Sequence, residues 1–279
     1  MNPPPLTLGL IERLERAASW KVSRLRHAMK QPGNPLGVHI LEDTGLTGYI
    51  VEAAPDLPWY NAIRGLSDRN LERLPAMLEA FERLGVTPRV TLWATQVSAR
   101  VGATLHELGF AVQSVTNTLY AVPAQLEVVP ASGVRVQELE AGEAVELFNT
   151  VLLQGYGFTR ETQRQLAVFE NELPNTRRYL ASVDGIPAAA AALTTHDSIA
   201  YLAGAATIPQ ARGRGAQTTL IRQRLSDAAS IAELVVVTTA FASESQHNLE
   251  RNGFRGCPSP RPTGLPPRLT SSPSTYGSR

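Results

Sequence analysis

The 279-residue chain has one cysteine, Cys257, so it forms no internal disulfide and no cysteine-based metal site. An excess of charge of either sign is also missing. Its 26 basic and 25 acidic side chains leave a formal net charge of +1, which builds no field to recruit nucleic acid or an anionic membrane. No apolar run approaches the length needed to cross a bilayer. The N-terminus opens with Pro3, Pro4 and Pro5, followed by Glu12, Arg13 and Glu15. It lacks a basic segment leading into an apolar core and so does not read as a signal peptide, and a cytoplasmic location is expected. What remains, 43% hydrophobic and 18% charged residues, is a globular composition of roughly two domains.

Hydrophobic spacing of three to four residues predicts helices over 6–30, 70–84, 98–108, 143–153, 159–170, 216–229 and 243–252. Short β-branched and apolar runs predict strands at 37–41, 48–53, 59–66, 90–94, 116–122, 134–139, 178–183, 187–194, 199–207 and 234–240. Asp184-Gly185 is a hairpin turn dipeptide. The order implies an α/β (α+β) fold in which each of two domains is a mixed, mostly antiparallel sheet flanked by helices. The expected division is 1–125 and 130–256, with 123–133 as linker and 257–279 as a Pro/Ser-rich disordered tail.

An internal repeat supports two related halves. At an offset of 144, residues 90–110 lie over 234–254, and Thr95, Leu105, Gly109 and Phe110 match Thr239, Leu249, Gly253 and Phe254. The same offset places the partner of 114–122 at 258–266, where prolines exclude a strand interior. One closing strand of the second half is therefore expected to be absent, leaving an open edge or one repaired by a partner chain. The change of character near Arg255 reads either as natural truncation or as a shifted frame.

The segment with most chemical content runs from Ala206 through Thr207, Ile208, Pro209, Gln210, Ala211, Arg212, Gly213, Arg214 and Gly215 to Ala216 and Gln217. It links a predicted strand to a predicted helix. A glycine-punctuated turn there leaves backbone N–H groups unpaired, and the helix dipole adds positive potential. Both suit a pyrophosphate, with Arg212 and Arg214 adding charge. A Walker A loop needs Gly-Lys-Ser/Thr, which is missing, and a dinucleotide fingerprint needs three spaced glycines where only Gly213 and Gly215 stand. The alternative is a turn that exposes two arginines to solvent.

This strand, small residue, Pro, then Arg-Gly-x-Gly opening a helix resembles the GNAT superfamily of N-acetyltransferases, as does the stretch from Ser245 to Gly253-Phe254. The resemblance covers 134–254, and the first half enters it only through the repeat. It implies acetyl-CoA as acyl donor, an amine of a small molecule or peptide as acceptor, and no metal. It implies a splayed central strand whose backbone at Ala206, Thr207 and Ile208 meets the pantetheine arm, and a pyrophosphate loop of Arg212, Gly213, Arg214, Gly215, Ala216 and Gln217. Read from Arg212, which agrees better with the Pro209 spacing, the motif ends on Gln217, a departure from the family's small residue; read from Gln210, Gln210-x-x-Gly213-x-Gly215 fits. Arg222 reads either as a ribose-phosphate contact or as a solvated helical side chain.

The family's usual catalytic groups do not carry over: residues 199–208 hold no carboxylate, and Leu249 stands where many relatives have Tyr. Ser245 and Asn248 are the candidate catalytic residues, with Glu244 or His247 as relays, and solvent is the alternative proton carrier. Tyr156 and Phe158 are candidates for an acceptor-binding wall or for packing. In the first half, Asp68-Arg69-Asn70-Leu71 replaces the glycine turn, and this half reads as a degenerate scaffold. Expected partners are acetyl-CoA and the acceptor, without nucleic acid or membrane, in a monomer or homodimer. The competing reading is a non-catalytic acyl-CoA-binding module or scaffold.

Overall fold

A computed structural model describes residues 3–140, 145–171, 173, 175–257 and 263–265. The periodicity yields helices where expected: α1 (Leu8–Met29), α2 (Leu74–Arg83), α3 (Ala99–Glu107), α4 (Val145–Tyr156), α5 (Glu161–Asn171), α6 (Ala216–Ala228) and α7 (Glu244–Arg251). Side-chain oxygens cap three of them. Thr7, Ser98 and Ser243 accept from the amides of Leu10, Val101 and Gln246. The expected start of α4, at 143–144, lies outside the described residues.

The strands form two sheets. The first contains β1 (Val38–Asp43), β2 (Leu46–Val51), β3 (Ala62–Arg64), β4 (Arg89–Thr91) and β5 (Ala111–Ser114). The second contains β6 (Thr116–Ala121), β7 (Val134–Leu139), β8 (Thr176–Val183), β9 (Ile186–His196), β10 (Ile199–Thr207), β11 (Leu234–Ala240) and β12 (Arg255–Cys257). The last strand, β13 (Thr263–Leu265), belongs to the first sheet. The predicted strand at 59–66 shrinks to three residues. Asn61 takes over the backbone ahead of it: its side chain accepts from Val51 N–H at 2.7 Å and donates to the carbonyls of Ala54 and Leu57.

The chain exchanges strands between its halves. The spatial orders are β1-β2-β3-β4-β13-β5 and β12-β6-β11-β10-β9-β8-β7. β6, from the first half, runs antiparallel to β11 from Thr116↔Ala240 to Ala121↔Val235 and also pairs with β12. β13, from the end of the chain, pairs with both β4 and β5. This corrects the expectation of a missing closing strand. The second sheet receives its closing strand from the first half, and the three residues between Pro262 and Pro266 close the first sheet in return. Proline excludes only its own position from a ladder, so a segment bounded by prolines still pairs. The rest of the tail lies outside the described residues.

Each sheet keeps its own core. Ile50, Ile63, Leu74, Phe81, Val90 and Val101 cluster under α2 and α3. One face of the second sheet packs on α6 through Leu193, Leu202, Leu220, Ile221, Val235 and Phe254. The other face is shared by α4, through Phe148, Val151 and Leu152, and by α1, through Leu14 and Ala17. α1 thus belongs to the first half in sequence while packing on the second sheet.

A splayed cleft and its candidate acyl-carrier site

β10 and β11 are parallel neighbours only along Ile199–Tyr201 and Leu234–Val236. Beyond Tyr201 they diverge. On its other side β10 stays paired to β9, with a register break between Ala203 and Ala206. β11 is held on its outer side by β6 to the end of the strand. Two inner strands are therefore anchored outwardly and open toward each other, so the exchanged strand supports one wall of the gap. Leu202–Thr207 and Val237–Ala240 line a cleft of about 970 Å³, together with the start of α6 and the residues Ser243, Glu244, Ser245, Asn248, Leu249 and Arg251. That is the large end of small-molecule sites.

At the mouth, Gly213 and Gly215 take φ of +76° and +82°, and Gly215 is the N-cap of α6. A side chain at these positions would strain the left-handed backbone. The Thr219 amide donates to the Gly215 carbonyl at 3.0 Å, which is the first bond of the helix. No described residue accepts from the amides of Gly213 through Thr218. Residues 212–214 are exposed, so these donors face open space beside the cleft. Two more polar atoms here, Thr207 Oγ1 and Gln217 Nε2, are buried without a protein partner. Buried polar atoms without partners call for a ligand or water.

The side chains around the loop behave less simply than their charges imply. Arg212 folds back: its Nη2 donates to the Gly155 carbonyl at 3.2 Å and its Nε reaches the Thr207 carbonyl at 3.4 Å. It ties the loop to the ends of α4 and β10. Arg214 pairs with Asp184 of the β8–β9 hairpin at 2.8 Å. Ile208 spends its amide on the Ala188 carbonyl and its carbonyl on the Ala211 amide. Ala206 pairs with Ala190 of β9 in step with that bond, so its polar backbone also faces β9, and antiparallel alternation turns the backbone of Thr207 toward the cleft. Arg222 donates to the Asn252 side chain at 3.1 Å, which joins α6 to α7.

Asn248 lines the cleft, and its Oδ1 accepts from Thr218 Oγ1 at 3.1 Å. Ser245 is exposed on the same wall one turn earlier. Glu244 also lines the cleft, whereas His247 is exposed and outside it. Leu249 is 3% exposed and belongs to the α6-facing core. Tyr156 lines the cleft from α4, the residue as a whole being 44% exposed. Its hydroxyl end lies among protein groups, so desolvation raises its pKa, Glu170 raises it further, and a hydrogen bond with the Ala205 backbone works against both. Phe158 lies 5.2 Å from the Tyr156 ring and 6.5 Å from Trp59, whose plane is parallel within 7°. Trp59, also 44% exposed, is thus a first-half residue in a wall otherwise built by the second.

Arg224 is a residue that the sequence did not single out. It lies 1% exposed beneath the cleft and donates from Nη1 to the Ala192 carbonyl at 3.0 Å and from Nε to Leu220 at 3.1 Å. Ala192 is the β9 residue at the register break, so the guanidinium supports the bulge from below. Burial pushes its pKa down to about 10. The available signal was its spacing, four residues after Leu220 and four before Ala228, on the apolar stripe of α6.

The corresponding turn of the first half is closed on itself. The Asn70 side chain accepts from the Ser67 amide and donates to the carbonyls of Thr44 and Gly65, and Asp68 accepts from Ser98. The side chain of Asn70 fills the place where the second half leaves donors free.

Neither a family model nor a curated protein matches the chain. Solved structures do. A functionally unknown conserved protein from Staphylococcus epidermidis matches with a TM-score of 0.61 at 14% identity, over 84% of this chain and 96% of that one. A GCN5-related N-acetyltransferase from Kribbella flavida matches at 0.57 and 19%, over 87% and 93%. A tandem GNAT protein from the clavulanic acid biosynthesis pathway matches at 0.59 and 15%, over 88% and 94%. Among the described residues no helix is long and apolar enough to cross a membrane. The chain has a tandem GNAT-like fold, with the glycine-opened cleft in its second half.

Proposed function

We propose that the chain is an N-acyltransferase that takes an acetyl or related acyl group from acyl-CoA and passes it to an amine of a small molecule or peptide. One observation carries the reading. Six consecutive amides, Gly213 to Thr218, have no acceptor among the described residues at the start of α6, beside a cleft walled by two diverging strands. A pyrophosphate satisfies such donors, and the α6 dipole adds to its binding. The open inner backbones of β10 and β11 suit an extended amide-bearing arm, and Thr207 Oγ1 and Gln217 Nε2 are further contacts for it.

Transfer requires the amine nitrogen to attack the thioester carbonyl carbon. The ammonium first gives one proton to solvent; a C–N bond then forms and the C–S bond breaks, the nitrogen gives up a second proton, and the departing sulfur gains one. Ser245 and Asn248 stand on the α7 wall where they can orient the reacting ends. With Leu249 in the core and no carboxylate on β10, solvent carries the protons, and positioning is the main catalytic contribution. Tyr156 and Phe158 form the acceptor side of the cleft.

The same replacement at Leu249 favours a second reading, an acyl-CoA-binding module without turnover. Calorimetric titration with acetyl-CoA, followed by thiol release with a panel of amines, separates the two. Binding with thiol release supports the transferase. Binding without release on any amine supports the module, and no binding refutes both. Gly215→Val is a poor control, because a Cβ at Gly215 would meet the Cβ of Ala131 in the linker at 2.6 Å. Gln217→Glu is the cleaner one.

A further inference from the structure

Cross-strand register puts Tyr49, Arg64 and Arg89 on one face of the first sheet. Tyr49 lies opposite Ala62, Arg64 opposite Thr47 and Thr91, and Ala62 opposite Arg89. The other face, with Ile50, Ile63 and Val90, is filled by the core. α1 lies against the polar face and reaches both sheets. Its Arg26 sits 5.8 Å from the Tyr49 ring and 4.8 Å from Tyr60, and its Lys21 lies 5.0 Å over the ring of Tyr201 on β10. Three guanidiniums and an ammonium thus collect between the halves.

Their charges are not balanced. Lys21 is paired with Glu170 of α5. Arg26 is 3% exposed; it donates to the Trp59 carbonyl at 2.7 Å and to the Met29 sulfur, and its Nε is buried without an acceptor. Arg89 donates to Ser114 at 3.1 Å and its Nε is likewise orphaned. The Arg64 side chain makes no hydrogen bond and no ion pair with any described residue, and its Nε is buried. Burial lowers the pKa of all three arginines, and neighbouring guanidiniums lower it further for Arg26 and Arg64. Arg64 is partly exposed, so it is the buried Nε of its planar fork that is left unanswered, at a cost. The group that matches this fork is an oxyanion.

Tyr201 connects this cluster to the transfer cleft. It is within electrostatic reach of Arg64, and its hydroxyl donates to Thr238 Oγ1 at 3.1 Å across the fork where β10 and β11 part. Thr238 lines the cleft. We propose that the polar face of the first sheet beside Tyr201 is an oxyanion subsite, at which Arg64 binds a carboxylate or phosphate carried by the acceptor amine. The inference rests on the acyltransferase reading and names its substrate class. The amine is then directed toward the fork, where its nitrogen displaces the thiolate as described above. The first half, without a carrier loop of its own, supplies the group that selects the acceptor.

The test uses amines that differ only in the charged group: L-leucine against L-leucinamide, and O-phosphoethanolamine against ethanolamine. Thiol release from acetyl-CoA is followed in the full chain and in Arg64→Met, with acetyl-CoA binding measured separately in both. Acetyl-CoA should bind both proteins equally. The oxyanion-bearing member of one pair should be preferred in kcat/KM by on the order of tenfold to a hundredfold. Arg64→Met should abolish the preference and Arg64→Lys restore part of it; the pair that responds distinguishes carboxylate from phosphate. A second readout does not depend on turnover. Sodium acetate should raise the melting temperature of the wild type, relative to chloride at equal ionic strength, and leave Arg64→Met unmoved, and phosphate, which the α6 amides also take, should raise the wild type more than Arg64→Met. In chloride alone Arg64→Met should melt higher than wild type, because it removes an unanswered charge, whereas a purely structural arginine would make the variant melt lower. Acetyl-CoA binding with no discrimination in either pair, and no anion effect on melting, overturns the subsite. Failure of acetyl-CoA to bind overturns the acyltransferase reading instead, and the anion effect still reports on Arg64.

Discussion

Replacing Gln217 by glutamate changes one atom in size and one unit in charge, and it should move stability and binding in opposite directions. Gln217 is the second residue of α6, and its Nε2 is buried without a partner beside the free amides of Gly213 to Thr218. In the free protein a carboxylate in the first turn faces those amides and the positive end of the helix, which is worth about 0.3–1 kcal/mol. For a chain of this size that is a rise of about 1–3 °C in melting temperature. In the complex the same charge confronts the pyrophosphate. At a separation of ~6 Å and an effective dielectric constant of ~20, one pair of unit charges repels by about 3 kcal/mol, a factor of about 100 in affinity. Salt screening brings the expected loss to between about tenfold and a hundredfold. Differential scanning fluorimetry and acetyl-CoA calorimetry on the same preparation give both numbers. A variant that melts higher yet binds acetyl-CoA as tightly as wild type would refute the placement of the phosphates on this loop.

Gly155→Ala should destabilise by about 1–3 kcal/mol, since the new Cβ falls 2.6 Å from Ala206 Cβ and 3.0 Å from the backbone nitrogen of Thr207, which cannot rotate away; urea unfolding measures it, and acetyl-CoA affinity should fall with it because β10 must shift. The Lys21–Glu170 pair sets a pH dependence: Lys21 holds the Glu170 carboxyl below its ordinary range, so its stabilisation is present above a pH of about 4.3 and is lost as pH falls through the lower, folded-state pKa. Glu170→Gln should therefore cost about 2–3 kcal/mol at neutral pH by leaving Lys21 unanswered, and the gap to wild type should close in acid, as read by thermal unfolding at stepped pH. Cutting the chain within residues 123–133 should leave one particle by gel filtration until denaturant is added, because each half holds a strand of the other's sheet. A chain ending at Cys257 loses β13 and should be less stable by about 3 kcal/mol or more in urea unfolding, with β4 and β5 unpaired at an edge.

Much of this protein is legible locally. The helices lie where apolar residues recur at helical spacing, and most strands where β-branched runs occur. The start of α6 is set by Gly213 and Gly215, whose left-handed backbones need no information from elsewhere. The glycine turn could be read because main-chain amides left over by a helix start are a local property. What local pattern left open was the partner of each side chain that reaches a distant segment. Arg212 and Arg214 are expected at the phosphates, and in this structure they bond the Gly155 carbonyl and Asp184. Arg64 and Arg224 stand out in no local pattern, yet the Arg64 Nε finds no acceptor among the described residues and Arg224 supports a bulge.

The sequence by itself determined the order of elements, the two-half plan and the glycine turn, since each follows from spacing or backbone freedom within a few residues. Only the tertiary structure decided that β6 and β13 change places between the sheets, that Trp59 joins Phe158 and Tyr156 in one wall, and that the charges of α1 face both halves. A strand carries its pattern of buried and exposed residues in its own sequence. Which edge it joins depends on every other edge left open, and that is settled only when the whole chain has closed.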